Sequence, residues 1–325
     1  MNNFLTQSIN SRPLTTFSSI HHELQLAPEK NYLFDLSYLS ALSITGERAI
    51  EFLQGQFTAD ITQVNDIRIV QTAQCNLKGR ILALMDVINW QGIQLILPKD
   101  MLIPTQQSLT KTALLSKVSI EENTHWRFFG FYCQQKRDLI PGSVFLPDTL
   151  YAKAESKHFC YYHLGHGFYI FIVHEQVVEA LTHPFIEQQQ LLGSLTWHTL
   201  RLFNHQMSIY PESRGLFLPH RLNLHQTPYL SFEKGCYKGQ EIIARTHYRA
   251  TLKHELQFYT LCTNTPLFSG QKLYQPDTEI ESGEIIDYSI LDTNRYLVAV
   301  SLLKESPLEL SLEKSTVVTL LTPCL

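Results

Sequence analysis

Apolar positions along the chain follow two rhythms, a helical one and an alternating one, and their order predicts the architecture. Thr45 is placed to cap a helix carrying Ala49, Ile50, Leu53 and Phe57 at three- and four-residue intervals. A strand is predicted over 67–75, a turn at Asn76-Leu77-Lys78-Gly79, a second strand over 80–90 and, after Gly92, a third over 93–97. Helical spacing returns over 101–116, with Pro104 in the first turn, where proline is tolerated. Extended segments follow at 126–133, 159–164 and 168–173, then a short helix over 175–181 ended by Pro184 and another over 196–204.

Strands followed by helices, twice over, predict two α+β layers rather than one parallel sheet. Beyond Arg249 the pattern changes to short strands at 254–261, 271–274, 283–290, 295–303 and 315–321, separated by turn residues. Such a run predicts a small closed or half-closed β-barrel. The expected fold class is therefore α+β, with residues 1–248 forming two interleaved α+β domains, split near 120–190, and residues 249–325 a C-terminal barrel.

Composition removes several function classes. Of 325 residues, 44% are hydrophobic and 17% charged, which excludes a disordered chain. The 26 Lys and Arg against 30 Asp and Glu give a net charge of −4, which argues against a broadly basic nucleic-acid surface. No apolar run reaches the roughly 20 residues of a membrane span, and the first residues lack the pattern of a signal peptide. A soluble, cytoplasmic protein is the expectation.

The six cysteines stand at 75, 133, 160, 236, 262 and 324, with no C-x-x-C pair. Neither a disulfide framework nor a zinc motif fits that spacing, and most of these residues read as small core side chains. His158, His163 and His166, with Cys160 between them, likewise match no metal motif, so no metal site is expected.

One segment stands apart, Ser231-Phe232-Glu233-Lys234-Gly235-Cys236-Tyr237-Lys238-Gly239-Gln240-Glu241-Ile242-Ile243-Ala244-Arg245. Two glycines four residues apart allow unusual backbone angles around Cys236, and a helix is predicted from Gln240. A helix N-terminus and the flanking Lys234 and Lys238 both favour a thiolate, the reactive form of cysteine. The local chemistry is that of a nucleophile or soft metal ligand; a tight turn with a buried thiol and two solvated lysines is the alternative.

Lys-Gly-Cys-Tyr-Lys-Gly-Gln-Glu at 234–241 resembles the K-G-C-Y-x-G-Q-E signature of the YgfZ-type folate-binding proteins, relatives of the glycine-cleavage T-protein, an aminomethyltransferase. Further blocks are similar and in the same order. They are Ile44-Thr45-Gly46 with Phe52-Leu53-Gln54-Gly55-Gln56-Phe57-Thr58-Ala59-Asp60, Cys75-Asn76-Leu77-Lys78-Gly79-Arg80, and Phe217-Leu218-Pro219 with Leu222-Asn223-Leu224. The resemblance spans roughly residues 40 to 250 and implies a ring of three domains, the first two α+β and the third a β-barrel, around a cavity that takes tetrahydrofolate or a derivative.

It also implies support for the assembly or repair of iron–sulfur enzymes, one of which methylthiolates tRNA. Trp197 resembles a family tryptophan of the folate site, while the place of a second aromatic falls at Leu39. Gln56 and Asp60 either meet the pterin from the cavity wall or end a helix and cap the next loop. Lys78 and Arg80 read as a basic hairpin tip. Arg245 and Arg249, four apart on the helix after the signature, either bind an anion or form an exposed basic end.

The T-protein's adjacent aspartates align with Ala83 and Leu84, leaving Asp86 as the nearest carboxylate, in a strand on the opposite face from Ala83. The reading is therefore of an accessory protein with Cys236 at its functional centre and Lys234, Gly235, Tyr237, Gly239, Gln240 and Glu241 forming its loop. A folate-dependent one-carbon transferase is the alternative. Expected partners are folate and iron–sulfur enzymes or their assembly factors. Direct tRNA binding has no support beyond Arg245, Arg249, Lys253 and His254.

Overall fold

The computed structural model of the chain describes residues 4–312 and 316–322. Among them are six α-helices: α1 (Ile20–Glu23), α2 (Ala49–Gln56), α3 (Lys99–Ala113), α4 (Val178–Glu187), α5 (Ser194–Phe203) and α6 (Gln240–Arg249). Three larger sheets and one amino-terminal hairpin complete the architecture.

The first sheet has five antiparallel strands in the order Val70–Cys75, Ile81–Asn89, Ile93–Pro98, Leu39–Thr45, Ser119–Asn123. Strand alternation decides what each face does. Ala83, Met85 and Val87 point into an apolar core with Phe52 and Leu53 of α2 and Met101 and Leu109 of α3. Leu84 and Asp86, on the other face, stay half-buried and look toward the centre of the molecule.

The second sheet runs Lys153–Glu155, Phe159–His163, Phe168–His174, Trp126–Tyr132, Tyr32–Asp35, Leu191–Leu192, with only the last pair parallel. Its aromatic strands are covered on both faces. Phe131, Phe171 and Val173 pack with Leu181 and Phe185 of α4, while Phe34, Phe128 and Ile170 pack with Trp197 and Leu200 of α5. A side chain at Gly130 would overlap the Trp197 indole, so this strand needs glycine for the helix to lie so close.

The third sheet follows the order His254–Cys262, Arg295–Leu303, Glu281–Asp292, Lys272–Tyr274, Glu309–Leu312, Thr316–Thr319. It curls until Thr260 of its first strand exchanges both backbone hydrogen bonds with Leu321, just past its last. The α+β class and the C-terminal barrel are thereby borne out. The amino-terminal hairpin, Leu5–Ile9 with Arg12–Thr16, belongs to the same apolar cluster as the barrel, which includes Ile9 and Leu14 together with Val298 and Val300.

Several local expectations are corrected. Thr45 ends a strand, and Arg48 precedes α2 without a side-chain cap. Pro184 lies inside α4, which continues to Glu187, and Pro104 lies beyond the first turn of α3, which begins at Lys99. The strand predicted from residue 67 begins at Val70. Of the cysteines, Cys75 and Cys160 are buried, but Cys133 is only half-buried and Cys262 is exposed. Cys324, and Ser315 at the start of the last predicted strand, lie outside the described residues.

Candidate functional site

All three sheets contribute to a central cavity of about 580 Å³. Leu84 comes from the first sheet, Phe168 from the second, Leu256 and Phe258 from the barrel, and Arg201 from α5. A narrower inner chamber of about 120 Å³ shares Leu84, Leu164, Arg201, Gln206, Met207 and Tyr229 with it. That chamber is bounded further in by Tyr38, Leu39, Gln71, Asp86, Trp197 and His198. Mixed apolar and aromatic walls with a few converging polar groups are the ordinary make-up of a small-molecule site.

The polar groups are held from behind. Gln71 lies directly across the strand pair from Asp86, and its Nε2 donates to Asp86 Oδ1 at 2.9 Å. The Tyr162 hydroxyl, from the second sheet, donates to Asp86 Oδ2 at 2.7 Å. Burial raises the Asp86 pKa above the usual aspartate value, while these two donors and the Arg201 charge oppose the rise. Arg201 is desolvated enough to lower its pKa. Its guanidinium donates to Gln206 Oε1 at 3.2 Å and lies 5.8 Å and 5.7 Å from the Trp197 and Phe168 ring centroids. It has no carboxylate within 4.0 Å among the described residues, Asp86 included.

Trp197 is 3% exposed, 5.3 Å from Phe168 in an edge-on arrangement and 5.3 Å from Phe34. It is at once a core residue and part of the chamber wall. At the next residue, His198 Nε2 lies 2.9 Å from the Tyr288 carbonyl oxygen, tying α5 to the barrel.

The signature segment builds a different place. Gly239 has φ +86°, and a Cβ there would overlap the Asn76 carbonyl oxygen; Gly79 (φ +70°) in turn abuts Ile242, Ile243 and the Gly239 carbonyl oxygen. The Lys-Gly-Arg turn and the signature loop thus press backbone against backbone, which requires glycine on both sides. Lys234 does not flank the thiol as a free cation. Its ammonium donates to the carbonyls of Gln54, Phe57 and Ala59 at 2.8, 2.7 and 2.7 Å, closing the end of α2. Burial lowers its pKa to about 8, which leaves it charged at neutral pH.

Tyr237 is buried in the first sheet's core, and the Lys238 backbone N–H donates to the Gly55 carbonyl at 3.1 Å. Gln240 Oε1 accepts from the Tyr237 N–H at 3.4 Å, and Glu241 is in the first turn of α6. Gly235 has no left-handed backbone and open space where a Cβ would go. Cys236 itself is exposed and lines neither chamber of the cavity.

The remaining predicted residues are also outside the two chambers. Asp60 caps the short helix Ile61–Gln63 through Thr62, and accepts from Gln54 Nε2 at 2.9 Å. Gln56 borders a shallow surface groove with Glu51 and Thr112. Arg245 is exposed on α6. Sequence reasoning missed Arg201, Gln71 and Tyr162, and weighed Asp86 only against Ala83; the alternation Leu84, Asp86 was the available signal. It also missed a histidine group beside α6, with ring centroids of His220, His225 and His247 4.7 to 6.1 Å apart. No set of three or more His, Cys, Asp or Glu among the described residues is arranged to hold a metal ion.

The fold matches that of a solved aminomethyltransferase of the glycine cleavage system. The aminomethyltransferase T of the glycine cleavage system from Bartonella henselae superposes with a TM-score of 0.69, covering 99% of this chain and 94% of that one at 12% identity. In sequence the chain is similar to proteins described as the tRNA-modifying protein YgfZ. That of Colwellia psychrerythraea is 28% identical over 272 residues, 82% of this chain and 81% of the relative. That of Klebsiella pneumoniae is 27% identical over 275 residues, 82% and 84% of the two chains. No family model matches the chain. The resemblance to YgfZ-type proteins on a T-protein fold is borne out along about four fifths of the sequence. No helix among the described residues is long and apolar enough to cross a membrane.

Proposed function

We propose that the protein is a folate-binding accessory protein, cytoplasmic, that supports the assembly or repair of iron–sulfur enzymes, including one that methylthiolates tRNA. Residues 1–248 form its folate-binding part and 249–325 its barrel. The observation that carries this reading is the central cavity: an aromatic wall at Trp197, Tyr38 and Tyr229, and a single guanidinium, Arg201, without a carboxylate partner. A folate offers a flat pterin, an aromatic linker and anionic carboxylates, and these residues suit such a ligand. Bound there, tetrahydrofolate would supply a carrier for one-carbon units. The similarity to tRNA-modifying relatives supports the same reading.

Cys236 is the functional thiol of this proposal, with Lys234, Gly235, Tyr237, Gly239, Gln240 and Glu241 holding its loop. Its exposure suits exchange with a partner protein's thiol or cluster better than chemistry on a ligand in the cavity. One cysteine does not complete a cluster, so iron would come with partner ligands. A second reading, one-carbon transfer, is favoured by one observation: a carboxylate, Asp86, does enter the cavity, although Ala83 is core and Leu84 apolar.

Calorimetry with tetrahydrofolate on wild type, Trp197→Leu and Cys236→Ala tests the ligand. Binding is expected in wild type and Cys236→Ala and weakened in Trp197→Leu; no heat with wild type sinks the folate reading. A strain carrying Cys236→Ala should lose iron–sulfur enzyme activity, and normal activity there refutes the role of the thiol.

A further inference from the structure

Outside the central cavity, a groove of about 540 Å³ lies between α3, the start of the strand Ile81–Asn89 and the signature loop. Lys111 enters it from α3, Arg214 from the segment before Phe217, and Lys238 from the loop, while no Asp or Glu lines it. None of these three cations has a carboxylate within 4.0 Å among the described residues. On a chain of net charge −4, three unpaired cations around one depression focus a positive field there. Burial lowers the Arg214 pKa, and its guanidinium spends one contact on the Pro104 carbonyl at 3.1 Å, which leaves donors for an anion.

The groove adjoins the thiol. Cys236 is exposed and stands two residues from Lys238, a reach of at most about 7 Å along the backbone. The Lys238 N–H is held by Gly55, which lines the shallow groove next to this one; the two share Thr112. Leu115, in that shallow groove, is 87% exposed, and Leu77, on the turn packed against the loop, is 77% exposed. Exposed leucines beside unpaired cations suit a protein partner, whose contacts combine apolar anchors with a charged rim. A single-stranded RNA would ask for aromatic platforms, and no aromatic residue lines the basic groove.

We propose that this face docks the protein that meets the Cys236 thiol, with Lys111, Arg214 and Lys238 taking an acidic segment of the partner and Leu77 and Leu115 its apolar side chains. The inference rests on the reading of Cys236 above and adds where the partner sits and which charge it carries.

The probes are two short peptides, each with a cysteine activated as a pyridyl disulfide; glutamate and leucine flank it in one, glutamine and leucine in its twin. The Cys236 thiolate attacks the peptide sulfur and pyridine-2-thione leaves, so the released thione gives the rate. Subtracting the rate of Cys236→Ala removes the contribution of the other thiols. At low salt the glutamate peptide is expected to react at least about tenfold faster than its twin, an advantage that shrinks as salt is added. Lys111→Gln with Arg214→Gln should cut that ratio by about threefold or more. Lys111→Gln alone, at an exposed position, should cut it in the same direction, while Lys136→Gln, which lines neither groove, should leave it unchanged. A ratio of two peptides on one protein is not imitated by partial misfolding or by a changed thiol pKa.

Equal rates for the two peptides on wild type, or a glutamate advantage that survives the double substitution, overturn the inference. Loss of the advantage when an equimolar single-stranded RNA is added assigns the groove to a phosphate backbone and overturns the protein partner. These readouts need only the exposed thiol. Failure of the groove therefore leaves the role of Cys236 to be decided by the Cys236→Ala strain.

Discussion

The cavity and the cysteine loop solve opposite problems. Around the cavity, rigid elements from distant parts of the chain hold charged groups apart: Asp86 and Gln71 on one sheet, Tyr162 on another, Arg201 on α5. In the loop, Lys234 and Gln240 bond to backbone, Gly239 is pressed against the Asn76 carbonyl, and the thiol of Cys236 is left exposed. The first arrangement suits selection of a small molecule, the second presentation of one reactive atom to something large. A residue's closeness to Cys236 in sequence therefore says little about whether it touches a ligand in the cavity.

Substitutions can break that comparison at either end. Trp197→Ala removes a side chain shared by core and chamber, so about 3–5 kcal/mol of stability should be lost along with ligand binding. Urea denaturation checks this; a loss below about 1 kcal/mol would show that the indole is not core. Next comes the loop. Gly239→Ala puts a Cβ into the Asn76 carbonyl at a positive φ and should cost about 2 kcal/mol or more, whereas Gly235→Ala, facing open space, should stay within about 0.5 kcal/mol. Equal effects at the two glycines would mean that the loop is not held against the Lys-Gly-Arg turn.

Lys234→Met keeps the aliphatic stem but strips three backbone carbonyls of their donor, and about 1–3 kcal/mol should go with it. Tetrahydrofolate affinity of the folded variant should be unchanged, because Lys234 lines neither chamber. Reduced affinity at unchanged fold would join the two regions that the structure separates.

Much of the fold was legible because its rhythms are local. The alternation in 80–90, the helical spacing around Leu53 and the turn-rich tail each predict an element that forms, Ile81–Asn89, α2 and the barrel strands. The signature was legible as a loop before a helix for the same reason. What was not legible is whatever depends on a partner far along the chain. Lys234 reads as a cation beside a thiol until the end of α2 and the residues just after it, some 180 residues earlier, offer it three carbonyls. Arg201 reads as an ordinary helix residue until the folded sheets enclose it without a carboxylate. The amino-terminal hairpin, short and mixed in polarity, finds its reason in the barrel, α5 and α3 beside it.

Acid should separate the two regions by sign. His220, 6% exposed with neither ring nitrogen hydrogen-bonded, has its pKa pushed down to about 4 by burial and by His225 and His247. Unfolding frees it to protonate near 6.5, so between those values the unfolded chain binds more protons and stability falls as pH falls. Asp86 works in reverse. Burial raises its folded pKa above the unfolded value, so the folded chain takes up a proton first and acidification through that window favours folding. From pH 7 to 5.5 the His220 effect amounts to about 1 kcal/mol. Urea midpoints at those two pH values should therefore converge in His220→Gln relative to wild type. In Asp86→Asn the acid loss should be at least as large as in wild type. Were His220→Gln to lose as much stability on acidification as wild type, the His220 pKa would not be depressed in the fold and its burial beside α6 would be misassigned.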